Sequence, residues 1–471
     1  MASTQTLLVT GANGYIGTHV VGLALERGYK VRATARSESS FANLRSTFPE
    51  AASSDRLTFA IVPDITKHES YKDALAGVTG IVHTASPFIV DPKDNEVDLL
   101  QPAINGSVAI LEAAKQYGAQ VKSIANVSSF ASVIDLSQGY RAGYVYTEKD
   151  WNPMTYEEAA KTDSGVAAYC ASKGLAEGAM WKWMGENKDA AFTLANICPP
   201  WVFGPYLGKL DLNRLATSVG LLWKLVGAES VFPTDFAAST DVKDVAQALL
   251  NAIERPEAAG ERFIIGTHFD WQTAADILRE VPELKSRVPE GRPGYGKIEE
   301  TYTIDTSKAD RVLGIKPTPL EVTLKESIHQ MLAAEKASKP EFEWLSGQIS
   351  ASYLHLGAKN PETKILRSCL VVGVRNAPDV GEDIVVGGEG GVLHGVGDEG
   401  ALVLAVDLGD EGVDVAVNDV ASRGNPVYLG TEGSHLGPGA LVGGGTLAVE
   451  DASAGGEAGA GADGDEVLDF G

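Results

Sequence analysis

The chain is poor in cysteine, poor in positive charge and without a long apolar run, and each lack excludes a class of protein. Three cysteines in 471 residues (Cys170, Cys198, Cys369) build neither a disulfide framework nor a metal-ligand cluster. No apolar stretch reaches the ~18 residues that a membrane crossing needs. The first residues lack the basic stretch and apolar core of a signal peptide, so we read the protein as cytoplasmic. A net charge of −24 argues against nucleic acid or an anionic membrane as partner.

The shortage of cations is local. From Gly357 to Gly471 there are 20 acidic and 5 basic residues, a net of −15 that leaves −9 to the first 356 residues. The same stretch holds 26 of the 52 glycines, only two aromatics (Tyr428 and Phe470) and no lysine after Lys364. So little bulky apolar surface does not offset ordering entropy, and the first reading of 340–471 is a disordered, low-complexity acidic Gly-rich tail. The apolar–polar alternation of Val413-Asp414-Val415-Ala416-Val417 leaves a small β module open, and a read-through gene end is a third reading.

The first 200 residues are of another kind. Short β-branched runs at 7–10, 30–35, 57–62, 81–85, 123–128 and 192–198 alternate with helical patterns at 15–27, 69–75, 96–117 and 167–186. Repeated β-α-β signals predict an α/β fold, a doubly wound parallel sheet of the Rossmann type. Residues 1–200 and about 240–266 form the expected nucleotide-binding domain. Residues 201–239 and 267–339 form a smaller substrate lobe.

The first strand runs into Gly11-Ala12-Asn13-Gly14-Tyr15-Ile16-Gly17. Such a turn brings backbone N–H groups and a helix N-terminus to a pyrophosphate. NAD sites place an acid about 20 residues past the glycines to hold the ribose 2′-hydroxyl. Here Arg36 stands at that place, and the stretch from Val31 has no acid until Glu38. A guanidinium there suits a 2′-phosphate and hence NADPH. Arg32 is either a second phosphate contact or a solvated strand-end charge. Asp64-Ile65, at the end of the third strand, is positioned to meet the adenine.

Tyr169 and Lys173 lie four apart on a predicted helix, on one face with Cβ atoms ~6 Å apart. With 14 Tyr and 23 Lys in the chain, chance alone predicts roughly 0.7 such pairs. The pair gains its meaning from position, after the fifth strand and downstream of Ser128-Ser129. A lysine ammonium lowers the pKa of a neighbouring phenol. Tyr169 would then protonate a carbonyl oxygen as hydride arrives at carbon, with a strand-end serine hydrogen-bonding that oxygen. Phe88, Phe130, Trp201, Val202, Phe203, Tyr206 and Phe236 supply an apolar pocket wall. The same residues are also candidates for ordinary packing. His19 and His83 read as structural, and nothing around Cys170 suggests a nucleophile.

Together with His83-Thr84-Ala85-Ser86-Pro87-Phe88, Asp150-Trp151-Asn152-Pro153 and Thr267-His268-Phe269-Asp270-Trp271, these motifs resemble the extended short-chain dehydrogenases. The branch they resemble holds the dihydroflavonol and cinnamoyl-CoA reductases and the fungal methylglyoxal, aldehyde and ketone reductases. The resemblance covers residues 5–335 and is silent on the tail. It implies NADPH-dependent reduction of a small aldehyde or ketone by a monomer or homodimer, with no metal. It implies Ser129, rather than Ser128, as the carbonyl-binding serine, Tyr169 as acid and Lys173 beside it. It also implies cofactor contacts from Asn13, Tyr15, Ile16, Thr84, Ala85, Ser86, Pro199 and Val202 beside the three glycines, Arg36, Asp64 and Ile65. Two alternatives stand against this reading: an NAD-dependent nucleotide-sugar epimerase or dehydratase on the same fold, and a non-catalytic NADP(H)-binding regulator.

Overall fold

A computed structural model describes residues 5–86, 92–297 and 300–338, followed by the backbone of seven strands between Ile349 and Leu429. The chain runs β1 (Thr6–Thr10), α1 (Tyr15–Glu26), β2 (Lys30–Ala35), α2 (Ala42–Thr47), α3 (Pro49–Ser53), β3 (Leu57–Ile61), β4 (Gly80–His83), α4 (Gln101–Tyr117) and β5 (Ser123–Val127). Next come β6 (Val145–Tyr146), α5 (Tyr156–Lys161), α6 (Gly165–Glu186), β7 (Thr193–Cys198), β8 (Trp201–Phe203) and α7 (Thr217–Leu225). Then follow β9 (Ala238–Asp241), α8 (Val242–Glu254), β10 (Arg262–Ile264), β11 (Thr267–His268), α9 (Trp271–Arg279), β12 (Thr303–Ile304) and α10 (Leu320–Ser338).

Seven of these strands form one parallel sheet in the order β10-β7-β5-β4-β1-β2-β3. Both faces are covered. Along β1, Leu7 and Val9 enter the core that holds Val20, Val245 and Leu249, while Leu8 enters the one that holds Ile110, Leu111 and Met180. Successive strand side chains point to opposite faces, so one apolar run feeds two helical layers. The strand order reverses between β1 and β4, and α/β ligand sites lie at that crevice, outside the carboxyl ends of the strands.

Two small sheets build the remainder of this unit. β9 pairs with β8 and β11, and β12 pairs with β6. The second pairing brings residues 145–146 beside 303–304. Phe130, Tyr146 and Tyr302 share a core cluster there. Apolar packing runs through the unit: Phe203, Phe269 and Trp271 belong to the same cluster as Val20 and Val31.

Two expected helices differ. The 69–75 pattern yields one 3₁₀ turn, His68–Tyr71, although Tyr71 and Leu75 are buried as an amphipathic pattern requires. The run at 96–117 is broken at Pro102. A π-wound turn, Asn95–Leu100, capped by Asp94, precedes α4, because proline lacks the N–H that would continue the ladder.

Residues up to Ser338 form one compact unit and Lys339–Asp463 a second. In the second, β13 (Ile349–Leu354) pairs antiparallel with β14 (Cys369–Val374). β15 (Ile384–Val386), β16 (Val392–Gly395), β17 (Leu402–Gly409), β18 (Gly412–Asp419) and β19 (Val427–Leu429) form an antiparallel meander. The alternation at Val413–Val417 falls on β18. No helix among the described residues is long and apolar enough to cross a membrane.

Candidate active site

The turn between β1 and α1 needs glycine at two places. Gly11 has φ +59°, and a Cβ on it would lie 3.0 Å from the Ala85 backbone. A Cβ on Gly17 would lie 2.2 Å from the Gly11 carbonyl oxygen. Gly14 has ordinary extended geometry and contributes differently. It is the N-cap of α1, and no side chain caps that end. The first N–H groups of a twelve-residue helix are therefore left for an anion. Asn13 is exposed beside them and Ile16 is buried behind. The Tyr15 ring is buried against Tyr206 at 4.5 Å and its hydroxyl donates to the Gly204 carbonyl at 2.8 Å. Only its backbone faces the turn.

The far wall of the crevice is the end of β4. The Thr10 hydroxyl accepts both the Thr84 and the Ala85 N–H at 3.1 Å and pairs with His83 Nδ1 at 2.9 Å. Thr84 and Ala85 therefore spend their amides on holding the two strand ends together. Burial, with the charge of Lys173 adding to it, pulls the His83 pKa down from 6.5 to about 4. A depressed histidine pKa stabilises the fold above pH 6.5, and that contribution is lost as the pH falls toward 4, by about 3 kcal/mol. Urea unfolding of wild type and His83→Asn between pH 7 and pH 4 checks this. The wild type loses more stability than the variant across that window; parallel curves would refute it.

At the end of β2, Arg36 is exposed and engages no other described residue. Glu38, the nearest acid, is turned away into an ion pair with Arg45 at 2.7 Å. Ser37, Ser39 and Ser40 cluster their hydroxyls alongside at 3.0 Å. Arg32 is neither a phosphate contact nor a solvated charge. Its Nη1 donates to the carbonyls of Ala74 and Ala76 at 2.8 and 2.6 Å, tying β2 to the segment before β4. Asp64 accepts from the Thr66 hydroxyl and amide, which hold its carboxyl below the usual value. Ile65 packs against the core beneath.

On the other side of the crevice, α6 carries Tyr169 and Lys173. Ser164 caps it by accepting the Ala167 N–H at 3.2 Å. The helix brings Lys173 Nζ to 5.4 Å from the Tyr169 ring centroid. Tyr169 shares a hydrogen bond with the hydroxyl of Ser129, just past β5. The structure thus joins Ser129, Tyr169 and Lys173. Ser86 joins them too, since Lys173 Nζ donates to its hydroxyl at 2.8 Å.

The electrostatics differ from expectation. Burial raises the Tyr169 phenol well above its usual value, with the Ser129 bond opposing, and Lys173 does not lower it. Burial also pulls Lys173 down to about 8. Two groups sharing a desolvated crevice are both pushed toward neutrality. Cys170 is pushed up to about 12 by burial, which makes it a poor nucleophile.

The expected pocket wall is partly core. Phe130 is fully buried, its ring 5.6 Å from Tyr146 and 5.8 Å from Tyr302. Tyr206 packs on Tyr15, accepts the Ala216 N–H and has its own amide bound by Gln330. Each ring is held by aromatic neighbours, Phe130 within the core and Tyr206 half-buried at its edge. Val202 is buried, and Pro199 accepts the Phe130 N–H at 2.8 Å, fixing the Ser129 turn. Trp201 is half-buried, edge-on to Phe236 at 5.3 Å, with its indole N–H on Asp235. Phe88 lies outside the described residues. A cleft of about 670 Å³ lined by Trp151, Trp181, Arg262 and Arg311 includes neither Tyr169 nor Lys173 in its wall. No cluster of metal-ligating side chains occurs among the described residues.

Sequence reasoning missed Glu177. It is 1% exposed and hydrogen-bonded to Ser128, Ser132, Trp181 and Arg262. The available signal was a lone acid four residues past Lys173 among small apolar residues.

The profile of the NAD dependent epimerase/dehydratase family matches residues 7–266. The NADPH-dependent methylglyoxal reductase GRE2 of Saccharomyces cerevisiae is 36% identical over 344 residues, covering 70% of this chain and 99% of the yeast protein. The ketoreductase azaE of Aspergillus niger is 33% identical, covering 70% of this chain and 98% of its own. The crystal structure of yeast methylglyoxal/isovaleraldehyde reductase Gre2 complexed with NADPH superposes with a TM-score of 0.67 at 35% identity, covering 70% of this chain and 99% of the other.

Proposed function

We propose that this chain, which belongs to the NAD dependent epimerase/dehydratase family, reduces an aldehyde or ketone to an alcohol with NADPH. The observation that carries the reading is the meeting of Ser129, Tyr169 and Lys173 at the strand-order reversal. The relatives that span the same 70% of the chain are named as NADPH-dependent and keto reductases, which supports it.

The crevice fits the dinucleotide. Gly11 and Gly17 leave no room for a Cβ, the end of α1 is uncapped, and Arg36 is uncommitted at the 2′-phosphate position. Gly14, Asn13 and the Tyr15–Ile16 amides would hold the pyrophosphate, Asp64 and Ile65 the adenine, and Lys173 with Ser86 the nicotinamide ribose. When bound, NADPH supplies the hydride. The chain's own part is to orient and protonate the carbonyl. Ser129 donates a hydrogen bond to its oxygen and Tyr169 gives that oxygen a proton. The ammonium of Lys173, with a pKa of about 8 and so still protonated at neutral pH, steadies the phenolate left behind. Trp201 and Phe236 face the carbonyl's substituents from the smaller lobe. The protein works in the cytoplasm as a monomer or homodimer on small carbonyl compounds.

Neither alternative is favoured. An epimerase or dehydratase holding NAD wants an acid where Arg36 stands, and a silent regulator has no need of the full Ser129, Tyr169 and Lys173 set. Consumption of NADPH and NADH by the purified protein over methylglyoxal, aromatic aldehydes, diketones and a dihydroflavonol tests the reading. Turnover with NADPH well above NADH is expected. Tightly bound NAD in the purified protein, with no carbonyl turnover, would reject it.

A further inference from the structure

Tyr169 and Lys173 sit on α6, whereas Ser129 sits on a turn after β5. For the three to act together, the gap between helix and turn must be held. α6 presents Tyr169, Lys173, Glu177 and Trp181 four residues apart, along one face of the helix. Glu177 Oε2 accepts the Ser128 hydroxyl at 2.6 Å, and Oε1 accepts the Trp181 indole N–H at 3.1 Å. The Ser132 hydroxyl, with one proton to give, lies 2.7 Å from both Glu177 Oε2 and the Ser129 carbonyl oxygen. The carboxylate therefore grips the turn on both sides of Ser129.

Arg262, on β10, balances the charge. Its Nε donates to Glu177 Oε1 at 2.6 Å, and its Nη2 to Glu177 Oε2 at 3.1 Å and to the Ser132 hydroxyl at 2.9 Å. Its Nη1 reaches the Glu148 and Asp150 carbonyls at 3.1 and 2.9 Å, and its guanidinium lies 3.6 Å from the Trp151 ring centroid. A buried ion pair costs desolvation, which only a fully partnered network offsets. Replacing such a network with apolar packing is often neutral or stabilising, so its place directly beneath the reacting groups calls for another reason.

We propose that Glu177 is a positioning residue. Its ion pair with Arg262 clamps the Ser128–Ser132 turn to α6 and so sets the spacing between the Ser129 hydroxyl and the Tyr169 phenol. The catalytic meaning of the clamp rests on the carbonyl-reductase reading; the clamp itself does not.

Two measurements on the full chain test it, with Glu177→Gln and Ser132→Ala. The first is hydrogen exchange of the cofactor-free protein. The amides of Ala131, Ser132 and Val133 exchange about tenfold faster or more in both variants, while the amides of α6 keep their protection. The second is turnover. In the wild-type background Glu177→Gln lowers kcat about 10- to 100-fold, with the KM for NADPH within about twofold. In a Ser129→Ala background the same change costs less than about twofold, because a positioning residue has nothing left to position. Unchanged exchange at 131–133 in both variants overturns the clamp. Equal losses of kcat in the two backgrounds overturn its action through Ser129, since a merely structural role predicts equal losses. If Glu177→Gln does not fold, Ser132→Ala decides both measurements. A wild type that reduces no carbonyl defeats the reductase reading, and the exchange measurement still decides the clamp.

Discussion

Tyr169→Phe binds NADPH like the wild type and loses carbonyl reduction by about 10²- to 10⁴-fold, the usual worth of a placed general acid. The substitution removes one oxygen from a half-buried ring and leaves the helix, its Ser164 cap and Lys173 in place. The proton at the carbonyl oxygen goes missing, together with the hydroxyl's bond to Ser129. Single-turnover rates at saturating cofactor, with NADPH fluorescence for binding, separate the two. A rate within about threefold of wild type would show that another group supplies the proton. The cofactor-free site also predicts that the burden falls on kcat. Burial holds the phenol neutral, and therefore able to donate, across the physiological range.

Arg36→Glu exchanges the cofactor preference. The guanidinium is exposed at the end of β2 and engages no other described residue, and Glu38 is held away by Arg45. Hydrogen bonds to a charged group contribute about 1.5–3 kcal/mol, so kcat/KM with NADPH falls about 10- to 100-fold, and a like charge at that place adds to the loss. A carboxylate there suits a ribose 2′-hydroxyl, and the NADH rate rises relative to NADPH. The control is Arg32→Ala. Because Arg32 holds the carbonyls of Ala74 and Ala76, its loss lowers the unfolding midpoint and leaves the NADPH/NADH ratio unchanged. An unaltered ratio in Arg36→Glu, or an altered one in Arg32→Ala, would reverse the roles given to the two arginines.

The pair of arginines marks where sequence reading stops. Both are basic, and they lie four positions apart, Arg32 inside β2 and Arg36 just past its end. Alternation along a strand would put residues four apart on one face, but Arg36 lies past the end of β2, while Arg32 is held within the strand by the carbonyls of Ala74 and Ala76, remote in sequence. The same holds for Phe130 and Tyr206. Each is an aromatic beside a predicted active-site loop, and only the fold shows Tyr146, Tyr302 and Tyr15 waiting behind them. Glu177 was the hardest to read. A single acid on a helix is ordinary until Arg262, 85 residues away, is seen to face it.

What the sequence determined by itself was local and periodic. Alternating β-branched runs and helical patterns dictated a parallel doubly wound sheet. The strand-glycine-helix turn dictated a phosphate-facing helix end, since a Cβ at Gly11 or Gly17 has nowhere to go. Four-residue spacing placed Tyr169 and Lys173 on one face. What the tertiary structure alone decided was everything that depends on distant partners: the Ser129 bond to Tyr169, the Ser86 contact of Lys173, the Glu177–Arg262 clamp and the protonation of the crevice. Periodicity is written in neighbouring residues. Desolvation and hydrogen-bond pairing depend on which distant segments the sheet order brings together.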